Sequence, residues 1–221
     1  MKTLISIIFI TTFASCNSNR VDKYASVNAN KVDTFIKHDT IYISQDNNSD
    51  WQKGFNLTHD PDKDTIWGKP ISYYLNDKEC ATIAYEFYYG YFRPSDNGAT
   101  DELLKYAVTD NNKLRPFYRW CLNKTIQISD GALAEHVGVP ARHYAEKFPK
   151  EFFEYMDYDT TNGKYKDWVS AISYSGFYDI DDYKKPQEIR NRLINEMEKN
   201  CINCSEQISK RIDRFAKDCF P

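Results

Sequence analysis

The sequence predicts a mainly α fold: a compact multi-helix domain of about seven helices, behind an ordered N-terminal aromatic loop. Three observations carry this expectation. From about residue 76 onward, apolar residues recur at three- and four-residue spacing, as on the buried stripe of a helix. Helix punctuation accompanies those stripes, with Asn and Thr at starts, Pro in first turns and Gly at ends. Finally, segments 186–200 and 205–219 are joined by a four-residue link, which predicts an antiparallel helical hairpin at the C-terminus.

The elements follow in chain order. Residues 51–75 carry two Trp, two Gly and two Pro, the composition of a loop pinned by aromatic rings. Asn76 is placed to cap a helix, with Glu79 completing a capping box. Cys80, Ile83, Ala84, Phe87 and Tyr91 share its stripe, and Pro94 stops it. Thr100 caps a short helix holding Leu103, Leu104 and Ala107. Residues 114–128 form the next, with Pro116 in the first turn. Shorter helices are expected near 131–137, 140–148 and 149–157, then 163–174 closed by Gly176. Ile189, Leu193, Ile194 and Met197 give 186–200 its apolar face. Ile208, Ile212, Phe215 and Cys219 give 205–219 the facing one.

Composition excludes several classes. Of 221 residues, 41% are hydrophobic and 15% aromatic, too many for a wholly disordered chain. A net charge of -3 argues against general nucleic-acid binding. The one long apolar stretch lies at the extreme N-terminus, so a multi-span membrane protein is not expected.

That stretch, MKTLISIIFITTFAS, has the charged Lys2, a short apolar run and small residues of an export signal. Phe13-Ala14-Ser15-Cys16 resembles the lipobox of bacterial lipoproteins, with Phe13 where Leu is usual. The resemblance implies cleavage after residue 15 and lipidation of Cys16, which becomes the new N-terminus. It implies a membrane anchor, since each buried acyl CH₂ contributes about 0.8 kcal/mol. Asn17, in place of Asp, implies passage to the outer membrane. Residues 16–50 then read as the lipidated cysteine and a flexible tether rich in Asn, Asp, Ser and Lys, with an r.m.s. reach of about 30–35 Å. Asp39 to Ile43 alternates briefly, as a short strand would. Residues 51–221 form the single helical domain.

Five cysteines remain. In an oxidising compartment they are disulfide candidates. The expectation is a local Cys201–Cys204 bridge and a Cys80–Cys121 bridge, with Cys219 a buried thiol; pairing of Cys219 with Cys80 or Cys121 stays open. Cys201-Ile202-Asn203-Cys204 follows an amphipathic helix, unlike a redox CxxC, which opens a helix after a strand.

Several motifs are near-misses. Leu133 to Tyr144 resembles a helix-turn-helix corner, but few basic residues follow it, and a plain αα-corner is the expectation. Ser95-Asp96-Asn97 resembles a β-lactamase motif without its partners and reads as a turn. Asp60, Asp62 and Asp64 have the alternate spacing of a Ca²⁺ loop but lack its Gly and Glu, and the run from Asp157 through Asp159 to Gly163 is a second near-miss without the terminal Glu. His143 and Glu146 lie one turn apart without a second such pair. No cofactor is expected. Tyr85, Tyr88, Tyr89 and Tyr91 crowd one helix so densely that some must face outward, giving a possible binding surface.

Three function classes fit. The expected one is a lipid-anchored, non-catalytic binding or interaction module for another envelope protein. The others are a glycan-associated lipoprotein using exposed aromatics, and an envelope hydrolase drawing acid and base from carboxylates such as Glu86 or Asp101.

Overall fold

The computed structural model describes residues 65–180 and 185–221. Cys16, the tether, the 39–43 run, residues 51–64 and Asp60, Asp62 and Asp64 lie outside them. Among the described residues the fold is mainly helical, with nine α-helices against the seven or so expected, and one two-stranded ribbon. No helix among them is long and apolar enough to cross a membrane.

The ribbon pairs β1 (Thr65–Ile66) with β2 (Lys69–Pro70) antiparallel, Ile66 opposite Lys69. Its turn residues, Trp67 and Gly68, both have positive φ (52° and 68°), as a tight two-residue hairpin requires. Helix α1 (Ile71–Leu75) follows, and Asn76 closes it instead of opening the next helix. The expected capping box is therefore absent: Asp77 takes the turn, its Oδ1 accepting the Glu79 N–H at 2.9 Å. Helix α2 (Thr82–Tyr89) starts after Cys80 and ends at Gly90, whose φ of 78° stops it four residues before Pro94. Cys80 and Tyr91 thus fall outside the helix whose stripe they extend.

Helix α3 (Gly98–Lys105) is capped by Asn97, whose side chain accepts from the Ala99 and Thr100 N–H groups. Thr100, expected as the cap, is buried and donates its hydroxyl to the Ser95 carbonyl at 2.6 Å. A 3₁₀ turn (Tyr106–Val108) leads to α4 (Arg115–Ile128), with its proline in the first turn as expected. Then come α5 (Ala134–Lys147), α6 (Pro149–Asp157) and α7 (Gly163–Ser175). Helices α8 (Pro186–Asn200) and α9 (Glu206–Cys219) pack together as the closing hairpin, α9 capped by Ser205.

The expected corner near Gly138 does not exist, because α5 runs unbroken through Gly138 and Pro140. Gly138 serves a close helix–helix approach instead. A Cβ there would stand 2.5 Å from the Ala171 carbonyl oxygen and from the Gly176 nitrogen. Ser175, arriving from α7, accepts the Gly138 N–H at 3.1 Å and donates to the Ala134 carbonyl at 2.7 Å. Those two groups would pair with each other in an undisturbed helix. Proximity, not a turn, is what this glycine supplies.

Two apolar clusters result. One joins β1 and α1–α4 around Tyr74, Phe87 and Phe117. The other joins α4–α9, with Leu104 of α3 and Ala107 of the 3₁₀ turn, around Tyr144, Phe152, Trp168 and Phe215. Helix α4 belongs to both, so its polar side chains are buried too. Asn123 accepts from Trp168 Nε1 at 2.8 Å. Arg115 pairs with Glu151, and Arg119 donates to the Tyr144 hydroxyl at 2.9 Å. The Arg119 guanidinium packs over the rings of both Trp67 and Tyr155, at 4.4 and 4.0 Å.

Cys201 and Cys204 are bridged, with Cα atoms 5.4 Å apart. Cys219 is a buried thiol as expected, but Cys80 and Cys121 stand as free thiols too, so the second expected bridge is corrected. Tyr118, one turn before Cys121, accepts the Ala81 N–H at 2.9 Å and donates to the Glu79 carbonyl at 3.3 Å. Its phenol thereby holds the backbone on both sides of Cys80 a ring's length away from α4.

Two measurements check this packing. Gly138→Ala should destabilise the fold by about 1–3 kcal/mol in urea unfolding, the usual range for overpacking; an unchanged midpoint would contradict the close approach. Alkylation of the unfolded, unreduced chain should find three reactive thiols among the five domain cysteines; one or five would contradict the pairing described.

Candidate functional site

The left-handed Gly90 decides what becomes of the four tyrosines expected as a surface. It turns the chain out of α2, so Tyr91 projects beyond the helix and is 62% exposed, beside Tyr89 at 48%. The Tyr89 and Tyr91 rings lie 6.1 Å apart with planes 27° from parallel. Tyr85 is half-buried, 4.7 Å from Tyr89 at 54°. Tyr88 differs: it packs against Trp120 and Phe117, centroids 5.7 and 6.4 Å away, and touches the cluster only edge-on to Tyr89. Three of the four therefore form the surface group, and Tyr88 joins it to the core. Burial, then the neighbouring Tyr89 and Tyr91, raises the pKa of Tyr85. A second exposed pair, Tyr174 and Tyr178 at 6.1 Å, was not singled out in the sequence.

The carboxylates suggested for hydrolysis have separate roles. Glu86 is buried on the α2 face. Asp101, on α3, binds His136 Nδ1 at 2.7 Å, while Asp96 binds Nε2 at 2.7 Å. The Ser95-Asp96-Asn97 turn thus caps α3 and, through His136, ties it to α5. Hydrogen bonding to Asp101 raises the pKa of His136 despite partial burial, with Asp96 adding to it.

His143 and Glu146 do come together, but around Arg142. That guanidinium donates to both oxygens of Asp179 at 2.9 and 2.8 Å, lies 3.4 Å from Glu146, and covers the Phe177 ring. Burial pushes the Glu146 carboxyl up to about 7 against the pull of Arg142. Burial and then Arg142 lower the pKa of His143.

The described Ca²⁺ near-miss is committed elsewhere. Both Asp157 oxygens accept from Arg211, at 2.6 and 2.8 Å. Asp159 is buried and accepts from the Thr161 N–H, the Thr161 hydroxyl and the Lys164 N–H at 2.9, 2.6 and 2.7 Å. It is a turn anchor at the start of α7. No group of three or more His, Cys, Asp or Glu among the described residues is placed to hold a metal ion.

A groove of about 520 Å³ lies between α6, α7 and α9. Phe153, Met156 and Val169 form its apolar side. Tyr165 donates to Asp218 at 2.7 Å across it. Arg211, Arg214 and Lys166 supply three cations against Asp157 and Asp218. A second recess of about 310 Å³ shares Phe153, Asp157 and Arg211 with it and continues toward the bridged 201–204 turn. There Lys150 Nζ donates to the carbonyl of Ile202 at 2.7 Å, and Ile202 itself is 74% exposed. Sequence spacing did not reveal this groove, because its residues come from three helices that meet only after folding.

Comparison with family models, curated proteins and solved structures finds no match.

The raised Glu146 carboxyl has a pH signature. Its folded value, about 7, exceeds the ordinary carboxylate value of about 4.3. The unfolded chain therefore loses this proton first. Stability from this group is fullest below about pH 4 and declines as pH rises through about 7. Glu146→Gln should consequently stabilise the protein at pH 8 relative to pH 5, by about 1–3 kcal/mol at roughly 1.4 kcal/mol per pKa unit. Equal effects at both pH values in urea unfolding would remove the explanation.

Proposed function

We propose that this is a lipid-anchored cell-envelope protein acting as a non-catalytic binding module, attached through Cys16 and engaging another envelope protein through Tyr85, Tyr89 and Tyr91. The anchor rests on the export signal and the Phe13-Ala14-Ser15-Cys16 lipobox resemblance, and the outer-membrane destination rests on Asn17. The observation that carries the binding role is the exposure of Tyr89 and Tyr91, 48% and 62%, beside each other at the end of α2.

Ring orientation favours a protein over a glycan as partner. A sugar ring stacks best on a flat aromatic platform. Here neighbouring planes differ by 54° between Tyr85 and Tyr89, and by 27° between Tyr89 and Tyr91. Such a cluster offers faces, edges and hydroxyls together, which suits the mixed apolar and polar atoms of a protein surface. Tyrosine also brings large contact area at little conformational cost.

Cell fractionation and co-purification test both halves. Cys16→Ala should move the protein from the membrane pellet to the soluble fraction. Cross-linked envelopes should yield a specific protein partner, and joint Tyr89→Ser and Tyr91→Ser should reduce its recovery about tenfold without shifting the melting temperature. Retention of the Cys16→Ala variant in the pellet defeats the anchor. Undiminished recovery with the tyrosine variant, or turnover of cell-wall glycan by the purified protein, defeats the binding reading.

A further inference from the structure

The groove between α6, α7 and α9 holds an imbalance that its own residues leave uncompensated. Asp157 is neutralised by Arg211 in a two-point pair at 2.6 and 2.8 Å. Asp218 accepts from the Tyr165 hydroxyl at 2.7 Å and has Arg214 Nε at 3.8 Å. The cations are not matched in return. Lys166 is exposed and pairs with no carboxylate among the described residues. Arg214 is 82% exposed, so its long contact with Asp218 leaves most of the guanidinium free. Phe153, Met156 and Val169 line the same recess as these cations and form its apolar side.

Shape adds a second constraint. The main recess, about 520 Å³, lies within the roughly 300–1,000 Å³ of small-ligand sites. It continues past Arg211 into the smaller recess of about 310 Å³. The two follow α9 from Ile208 to Asp218, a rise of about 15 Å. That length accommodates four or five residues of extended chain at about 3.3 Å each. Charge is uneven along the track. The end near Ser205 is lined by one cation and one anion, Lys150 and Glu154, whereas the other end sets Lys166 and Arg214 against Asp218 alone.

We propose that this groove binds an extended acidic peptide segment of a partner protein, with apolar side chains against Phe153, Met156 and Val169 and carboxylates at Lys166 and Arg214. The site uses none of the tyrosines of α2. The two exposed cations give orientation and discrimination against basic segments more than raw affinity, and their effect weakens as salt rises.

The test uses the full-length protein in detergent and three labelled peptides of about six residues. One carries two glutamates beside a leucine and a phenylalanine; the others replace the glutamates by glutamine or by lysine. Fluorescence anisotropy should show the acidic peptide binding about tenfold more tightly than the lysine peptide, a margin matching two exposed charge contacts. That margin should shrink with added salt. The double variant K166E/R214E should reverse the preference, and V169R should abolish binding of all three by filling the apolar side. Equal binding of the three peptides, binding of none, a preference that survives the double reversal, or binding unaffected by V169R would each overturn the proposal. So would capture by phosphatidylglycerol vesicles, lost in the double variant, without peptide binding. If a variant fails to fold, the selectivity and salt dependence of the unaltered protein still decide.

Discussion

Helix α4 has almost no solvent side, and the rest of the domain is arranged around that fact. Arg115, Arg119, Asn123, Lys124 and Thr125 are buried along with its apolar residues. A buried charge or amide without partners is costly, so the surrounding helices must supply them. Helix α6 provides Glu151 for Arg115, α5 provides the Tyr144 hydroxyl for Arg119, and α7 provides the Trp168 indole for Asn123. The Arg119 guanidinium packs over the rings of Trp67, at the turn of the β-ribbon, and Tyr155 of α6, which also contact each other edge-on. Burial alone would raise the pKa of Glu151, but Arg115 outweighs it and holds the carboxyl below the ordinary range. Position on α4 thus selects residues on four other elements.

The helical class, the α8–α9 hairpin and the Cys201–Cys204 bridge were legible because each depends on residues close in sequence. Errors arose where a local signal had a non-local use. Gly138 and Pro140 look like a corner, yet the glycine admits α7 and the proline is carried inside a helix that packing maintains. Asn76 and Glu79 have capping-box spacing, but Asp77 competes for the same turn. Cys80 and Cys121 look like a pair, yet both are free thiols, and it is the Tyr118 hydroxyl that ties the backbone around Cys80 to α4. For the candidate sites the division is similar. A run of tyrosines at 85–91 is visible in the sequence, whereas which of them faces outward depends on the backbone of Gly90 and on Trp120, thirty residues away. The cationic groove had no sequence signal at all, since Lys166 and Arg214 meet only through the packing of α7 on α9.

The two candidate contact regions draw on different supports. The tyrosine group grows from the cluster around Phe87 and Phe117, and the groove is cut into the cluster around Phe152 and Phe215. Each is backed by well-packed aromatic side chains rather than by loops, which limits the conformational entropy lost when a surface is engaged. The bridged turn at 201–204 follows the same logic, with its exposed Ile202 held by a covalent link on one side and by Lys150 on the other.

The way the two clusters divide the chain has a consequence for its synthesis. Every buried member of the Phe117 cluster lies between Ile66 and Cys121, whereas the Trp168 cluster extends from Leu104 to Phe220. A polypeptide made from its N-terminus has all the pieces of the first cluster in hand once Cys121 has been added. The second stays open until Phe220 has been added. Until then the inner faces of α5, α6 and α7 lack Ile212 and Phe215 to cover them. The interval between those two moments is when the growing chain presents most sticky surface, and when a chaperone has most to shield.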